Sequence, residues 1–249
     1  MDFSELSHQT EIRDSLDKIL NEHCSQELLK EYDSNFKHDA SLLSLLSSNG
    51  YLGLGINEKY GGSGEDLYDL GILFERLGYH AAPLSLSGCL VDVAQTIQKF
   101  SNEGFCNEIL SSIIAGEIYT SAILEPSNQD PENPITTAKI KDNQLVISGT
   151  KYLSEISSMA KSVLISANSS EGVLLVLVES DKVKLTELSS TANSPLFKVE
   201  LDSVRVDRES IIHKKGRGLE ALRYLIQVNM VMRSYIALGV TEKMTSLIA

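Results

Sequence analysis

The stretch EPSNQDPENP, Glu125 to Pro134, carries three carboxylates, Glu125, Asp130 and Glu132. Two carboxylates in one loop can divide acid and base roles when their surroundings push their pKa values apart. With prolines at 126, 131 and 134, the ordinary reading of such a loop is a solvated turn. A second candidate is YGGSG, Tyr60 to Gly64, which could be a phosphate cradle. Such a cradle aims backbone N–H groups at an anion and usually has a lysine opening the next helix. Glu65 and Asp66 stand there instead. They would repel a phosphate while suiting the positive end of a helix dipole, so a turn between packed helices is favoured. The five histidines (His8, His23, His38, His80, His213) have no metal-ligand spacing. Cys24, Cys89 and Cys106 have neither disulfide-framework nor zinc spacing and read as small apolar residues. No G-x-G-x-x-G after a strand, Walker A loop, G-x-S-x-G or H-E-x-x-H occurs.

The elements that must position these residues change character twice along the chain. Up to about Gly116 the hydrophobic period is helical. Between Ser4 and Glu22, Leu6, Ile12, Leu16, Ile19 and Leu20 fall close to one face. In HDASLLSLLSSNG, Asp39 is a cap, Leu42, Leu43, Leu45 and Leu46 pack, and Gly50 ends the helix. GYLGLGINEKYGGSGED then leads into EDLYDLGILFERLGYH, with Leu67, Leu70, Leu73, Phe74 and Leu77 inward. Ser87–Phe100 and Glu103–Ala115 complete the helices.

The period then becomes that of strands. IYTSAIL, NQLVISGTKYL, AKSVLISAN, GVLLVLVES, KVKLTEL and LFKVELDSVRV are divided by turn-forming clusters. Lys139 to Val206 therefore reads as an antiparallel β domain, a barrel or a sandwich. Past KKGRG the helical period returns and runs to Ala249 without a glycine cap or a proline. The expectation is an α+β chain: an N-terminal helical domain (1–117), a middle β domain (118–213) and the start of a C-terminal helical bundle (214–249). Leu222, Leu225, Ile226, Met230, Ile236 and Leu238 of the last segment cannot all face a core made by the two preceding domains. Oligomerisation through this helix is expected.

Composition narrows the function classes. The chain of 249 residues is 42% hydrophobic and 22% charged, as ordinary globular proteins are. A formal charge of −12 argues against nucleic acid and anionic membrane surfaces as partners, since both need basic patches. The acidic start, MDFSELSHQTEIRD, is unlike a signal or transit peptide. The longest apolar run, VLLVLV, is too short to span a bilayer. A cytoplasmic location is expected.

Taken in order, the segments resemble the acyl-CoA dehydrogenase family of flavoproteins. GYLGLGINEKYGGSG is similar to that family's G-x-L-G-L-x-x-P-E-x-Y-G-G-x-G, with Gly55 and Asn57 where prolines are common. IAGEIYTSAILEP resembles L-x-G-x-x-x-x-A-x-T-E-P, and LVISGTKYLSEISSMAKSVLIS resembles the G-x-K-x-W-I-x-N segment, with Lys151 as its lysine. KVELDSVRV with KKGRGLEAL is similar to the exit strand and first helix of the third domain. RSYIALGVTEKM resembles R-x-x-x-A-x-x-L-G on that helix through Arg233 and Ala237. LSSTANSPLFKVELDSV is close to a form found in bacterial members that assemble from unlike subunits. The third domain is represented only by its beginning.

The resemblance implies FAD, an acyl-CoA or similar thioester as substrate, and α,β-dehydrogenation. It places Ile123, Leu124, Leu153, Ser154 and Glu155 along the flavin and Arg233 near the substrate cavity. Ile156 continues the flavin-side stretch. The departures are specific. Leu124 stands where the family has a flavin-contacting Thr or Ser, Leu153 replaces an aromatic, and SNQD replaces G-x-G-S-D. Met232 stands where some members carry the catalytic carboxylate, so the chain has no recognisable base. Three readings follow, the first two being a fragment or subunit of a dehydrogenase and a catalytically degenerate partner subunit with a structural role. A truncated product that folds poorly is the third.

Overall fold

The computed structural model describes residues 5–35, 39–64, 66–155, 158–191 and 195–248, with the side chains of 33–35 and Leu153 also outside the description. His38, Glu65 and Ile156, singled out above, lie outside the described residues. Two compact units result, Met1–Leu84 with Met230–Ala249, and Ser85–Asn229.

The first unit is helical: α1 (Ser7–His23), α2 (Gln26–Asn35), α3 (Ala40–Ser48) and α4 (Leu67–Tyr79). Leu16 and Leu20 of α1 are fully buried as the periodicity requires, whereas Leu6 sits at the helix start and is 59% exposed. The Asp39 carboxylate accepts from the Ser41 and Leu42 amides at 2.8 and 3.1 Å, capping α3. Gly50, at φ +79°, turns the chain out of it.

The glycine-rich stretch folds back on itself as two short 3₁₀ turns, Tyr51–Gly53 and Glu58–Tyr60. Its amides are spent internally: Ser63 donates to Gly53 O at 3.0 Å and Gly64 to Ile56 O at 2.9 Å. Leu52, Leu54, Ile56 and Tyr60 are buried. A Cβ at Gly62 would lie 2.1 Å from the Ile56 carbonyl, so close backbone packing demands glycine there. The stretch is an internally bonded turn, not an anion cradle. Asp66 caps α4 through the Tyr68 amide at 2.7 Å.

Charged side chains join the helices of this unit. Arg76 of α4, 3% exposed, reaches Asp17 of α1 at 2.7 Å. Arg13 of α1 pairs with Glu75 of α4 at 2.6 Å. His80 lies 2.8 Å from Asp17; burial is the largest influence on it and lowers its pKa, despite that carboxylate.

The second unit opens with one helical run, a π-helical segment Ser87–Val93 continuing into α5 (Ala94–Phe100), then α6 (Glu103–Ile114). Among the described residues a seven-stranded sheet follows: β1 (Tyr119–Ala122), β2 (Thr137–Lys141), β3 (Gln144–Glu155), β4 (Ser162–Ser169), β5 (Gly172–Glu179), β6 (Lys184–Leu188) and β7 (Leu196–Asp207). The strand order is β1-β4-β2-β3-β7-β6, with β5 paired to β4. Leu145, Ile147, Val163, Ile165, Val176, Val178, Val199 and Leu201 fill its core.

The sheet is antiparallel, as expected, over most of its pairs and parallel where β4 meets β1 and β2. β1 pairs parallel with β4 over four residues, and β2 touches β4 in parallel at Thr137 and Asn168. Parallel neighbours need a long connection, here the whole of β2 and β3, which a hydrophobic pattern read locally does not reveal. β2, TAKIK, is too short and too rich in lysine to stand out. α7 (Gly218–Ile248) gives its first turns to the second unit and the rest, from Met230, to the first. Leu222 and Leu225 are buried, whereas Met230, Leu238, Met244, Leu247 and Ile248 are more than half exposed. Among the described residues no helix is long and apolar enough to cross a membrane.

Candidate functional site

β1 ends at Ala122, and the chain continues alongside the last residues of β3. The Tyr152 amide donates to Leu124 O at 2.9 Å, the Ser154 hydroxyl to Ser121 O at 2.7 Å, and the Thr120 hydroxyl to Glu155 O. Ile123 and Leu124 are thereby brought beside Ser154, Glu155 and the backbone of Leu153, as sequence order alone could not do. The Glu155 carboxylate also accepts from Ser85.

A bulge in β3 sets which side chains point inward. The register against β7 moves from Lys151–Val199 to Ser154–Phe197, one residue more on β3 than on its partner. The extra residue breaks the two-residue alternation, so Lys151 and Ser154, three apart, are both buried, at 0% and 1% exposure.

Lys151 lies at the centre of this site. Its ammonium donates to Glu125 Oε1 at 2.8 Å, to the Ser166 hydroxyl at 3.0 Å and to Ile123 O at 3.4 Å. The Glu125 carboxylate also accepts from the Thr136 amide at 2.7 Å, the Ile135 amide at 2.6 Å and the Asn128 side chain at 2.8 Å. Burial by itself would raise the Glu125 pKa. The Lys151 ammonium and these other donors overcome that and hold it at about 2. Burial draws Lys151 down to about 8, with Glu125 pulling the other way, so both partners are charged at neutral pH.

The Glu125 shift has a consequence for acid stability. A carboxyl held at about 2 in the folded chain, against 4.5 when free, stabilises fully above its free value. That stability is lost as the pH falls from 4.5 toward 2. Urea midpoints measured from pH 6 to pH 2.5 should fall more steeply for the native chain than for Glu125→Gln. Parallel curves would remove Glu125 as the source.

A second buried carboxylate joins three elements. Asp92, in the π-helical segment and 6% exposed, accepts from the Asn229 amide of α7 at 2.6 Å and from the Ser121 hydroxyl of β1. His213 is also buried: its Nε2 accepts from the Leu175 amide at 3.2 Å while Nδ1 lies 2.8 Å from Lys214 O. Burial lowers its pKa, so it is a neutral, structural imidazole rather than a ligand.

Comparison with known proteins interprets this arrangement. Residues 7–117 match the family model described as acyl-CoA dehydrogenase, N-terminal domain. The acyl-CoA dehydrogenase FadE12 of Mycobacterium tuberculosis is 24% identical over 216 residues, covering 82% of this chain and 56% of its own length. The ChsE4–ChsE5 complex from Mycobacterium tuberculosis superposes with a TM-score of 0.89 at 21% identity, over 98% of this chain and 66% of that one. A glutaryl-CoA dehydrogenase from Mycobacterium smegmatis in complex with FADH2 gives a TM-score of 0.82 at 18% identity, over 94% and 62%.

Along most of its length the chain is similar to acyl-CoA dehydrogenases. It spans little more than half the length of the FadE12 relative. The positions that the resemblance sets along a flavin are specific in chemistry. Leu124 is 49% exposed and offers apolar surface. Ile123 O and Leu124 O are already engaged by Lys151 and Tyr152, and the Ser154 hydroxyl is buried against Ser121 O. These residues fit the flat, apolar part of a flavin and not its hydrogen-bonding edge. Met232 is fully buried, and Arg233 is exposed on α7 in the first unit.

Sequence reasoning marked Lys151 and Glu125 separately and missed that they pair. It passed over Asp92 and Asn229 altogether. An available signal was the charge itself: an Asp inside the apolar run CLVDVA must either find partners or break the buried face.

Proposed function

We propose that this chain is a subunit or portion of an acyl-CoA dehydrogenase-type flavoprotein acting on an acyl thioester, with FAD held along Ile123–Leu124 and Leu153–Glu155. The carrying observation is the adjacency of those two stretches, joined by the Tyr152–Leu124 and Ser154–Ser121 hydrogen bonds. The reading divides the chain into the N-terminal helical, middle β and C-terminal helical parts at 117 and 213. FAD would supply the redox chemistry, and the protein its orientation and shielding from water. Without a hydroxyl at Leu124 or an aromatic at Leu153, FAD should bind about 10- to 100-fold more weakly than with both, a cost of about 1–3 kcal/mol.

A second reading is favoured by a specific observation. No side chain with acid–base chemistry replaces Met232, and no exposed hydroxyl faces the flavin side among the residues named. The chain would then be a degenerate partner of an unlike subunit. The ChsE4–ChsE5 structure is a complex of two differently named proteins, and the exposed Met230, Leu238, Met244, Leu247 and Ile248 offer this chain a surface for such an assembly.

A melting experiment separates the two. Ligand at 100 times its Kd stabilises by about 2.7 kcal/mol. For a chain of this size that raises Tm by about 5–10 °C. A rise of that order with FAD, together with a flavin absorption band after desalting, supports the flavoprotein. A colourless chain whose Tm ignores millimolar FAD supports the degenerate partner.

A further inference from the structure

We infer that the buried Glu125–Lys151 pair is a latch that closes the loop 126–134 onto the sheet and fixes the Ile123–Leu124 edge, making both residues positioning residues for the ligand that lies along that edge. One carboxylate sits at the start of the loop and binds both amides at its end, Ile135 and Thr136. The same carboxylate holds Asn128 inside the loop. Lys151 ties this closed loop to β3, to Ser166 of β4 and to Ile123 O, one residue before the exposed Leu124.

The arrangement is more than a packed ion pair. Residues 126–134 contain three prolines and two acids and have no strand or helix of their own. A segment of that kind has many conformations of similar energy unless its ends are held together. Here the ends meet on one buried charge. The Asn128 side chain also donates to Asn133 O at 3.0 Å, so the loop's interior is held by a residue that Glu125 itself orients. Removing the charge at either partner should release the loop and the Leu124 edge together while leaving the β4–β5 core closed.

The ligand part of the inference rests on the flavin reading above; the latch itself does not. Amide exchange, resolved by residue in the full chain, tests the latch. In Lys151→Met the protection of the Ile135, Thr136 and Tyr152 amides should fall at least tenfold more than that of Leu164, Ile165 and Ala167. Asn128→Ala, a milder change at a half-exposed residue, should do the same at Ile135 alone. Val178→Ala, a core truncation in β5, should lower protection in all of them together. If Lys151→Met lowers latch and core amides equally, or lowers neither, the latch is wrong.

FAD titration is the second readout. Lys151→Met should bind FAD at least tenfold more weakly than Val178→Ala, and equal affinity would overturn the positioning role toward flavin. A native chain that takes up no FAD removes the flavin reading and the ligand role with it, while exchange still decides the latch.

Discussion

Lys151→Met is expected to destabilise the second unit by about 3 kcal/mol, with the loss unchanged by 0.5 M salt. Methionine fills nearly the same volume, so the cavity contribution is small. The cost lies in the partner left behind. The Glu125 side chain is 3% exposed and would keep its charge in a site from which the Lys151 ammonium, 2.8 Å away, has gone. Breaking a buried pair in this way costs about 3–5 kcal/mol. Release of the loop lets water reach Glu125, which places the expectation at the lower end.

Replacing both partners by apolar residues is often harmless in other buried pairs. It should not be here, because the carboxylate also satisfies the buried Thr136 amide, and an orphaned amide costs about 1–3 kcal/mol. Urea denaturation of Lys151→Met, Glu125→Leu and the double variant checks this. A double variant as stable as the native chain would show that the amide is satisfied by other means. Salt dependence separates this pair from the exposed ones, since ions screen surface charges and barely reach a buried pair.

Gly239→Ala should destabilise the first unit by about 1–3 kcal/mol, against the sign that helix propensity predicts. Alanine is favoured over glycine inside a helix by about 1 kcal/mol. At Gly239, however, a Cβ would lie 1.9 Å from the Glu75 carbonyl and 2.8 Å from the Tyr79 amide of α4. Both are backbone atoms, so relief requires the two helices to move apart. A second near contact lies on the same crossing, where a Cβ at Gly78 would meet Ile236 O at 2.3 Å. Separating the helices would also stretch the Arg76–Glu242 ion pair at 2.9 Å. Overpacking of this kind costs about 1–3 kcal/mol and outweighs the gain in propensity.

Gly104→Ala is the matching control. Gly104 is exposed in the first turn of α6, and its nearest neighbour to a new Cβ is Asn102 Oδ1 at 3.5 Å. That change should stabilise by about 0.4–1 kcal/mol. Thermal or urea unfolding of the two variants should therefore shift in opposite directions. Shifts of the same sign would mean that the α4–α7 contact relaxes without cost.

The helical elements were legible because their signals are local. Asp39 and Asp66 cap from one residue before the helices they start, and the apolar period of α4 puts Leu70, Leu73, Phe74 and Leu77 inside without reference to anything distant. The glycine-rich turn was legible for the same reason: two acids after YGGSG decide against an anion whatever the rest of the chain does. The β domain was legible as strands and only in part as a sheet. Alternation fixes which face of a strand is buried, while the neighbour of β1 depends on a segment that pairs some forty residues later, Tyr119 with Ser162.

For the candidate site, the sequence by itself determined the residue types: an apolar Leu124 in place of a hydroxyl, no aromatic at Leu153, no carboxylate at Met232, and the resemblance to acyl-CoA dehydrogenases against which these are departures. Only the tertiary structure decided which of its charges matter. Glu125 looked like one of three solvated acids in a proline-rich loop, yet it is buried, while Asp130 and Glu132 are not. The difference comes from the alternation of β3, which turns Lys151 inward with Leu145 and Ile147, and from the Ile135 and Thr136 amides that close the loop over it. A charge can be buried only where several distant donors converge on it, and convergence is a property of the folded chain rather than of any stretch of its sequence.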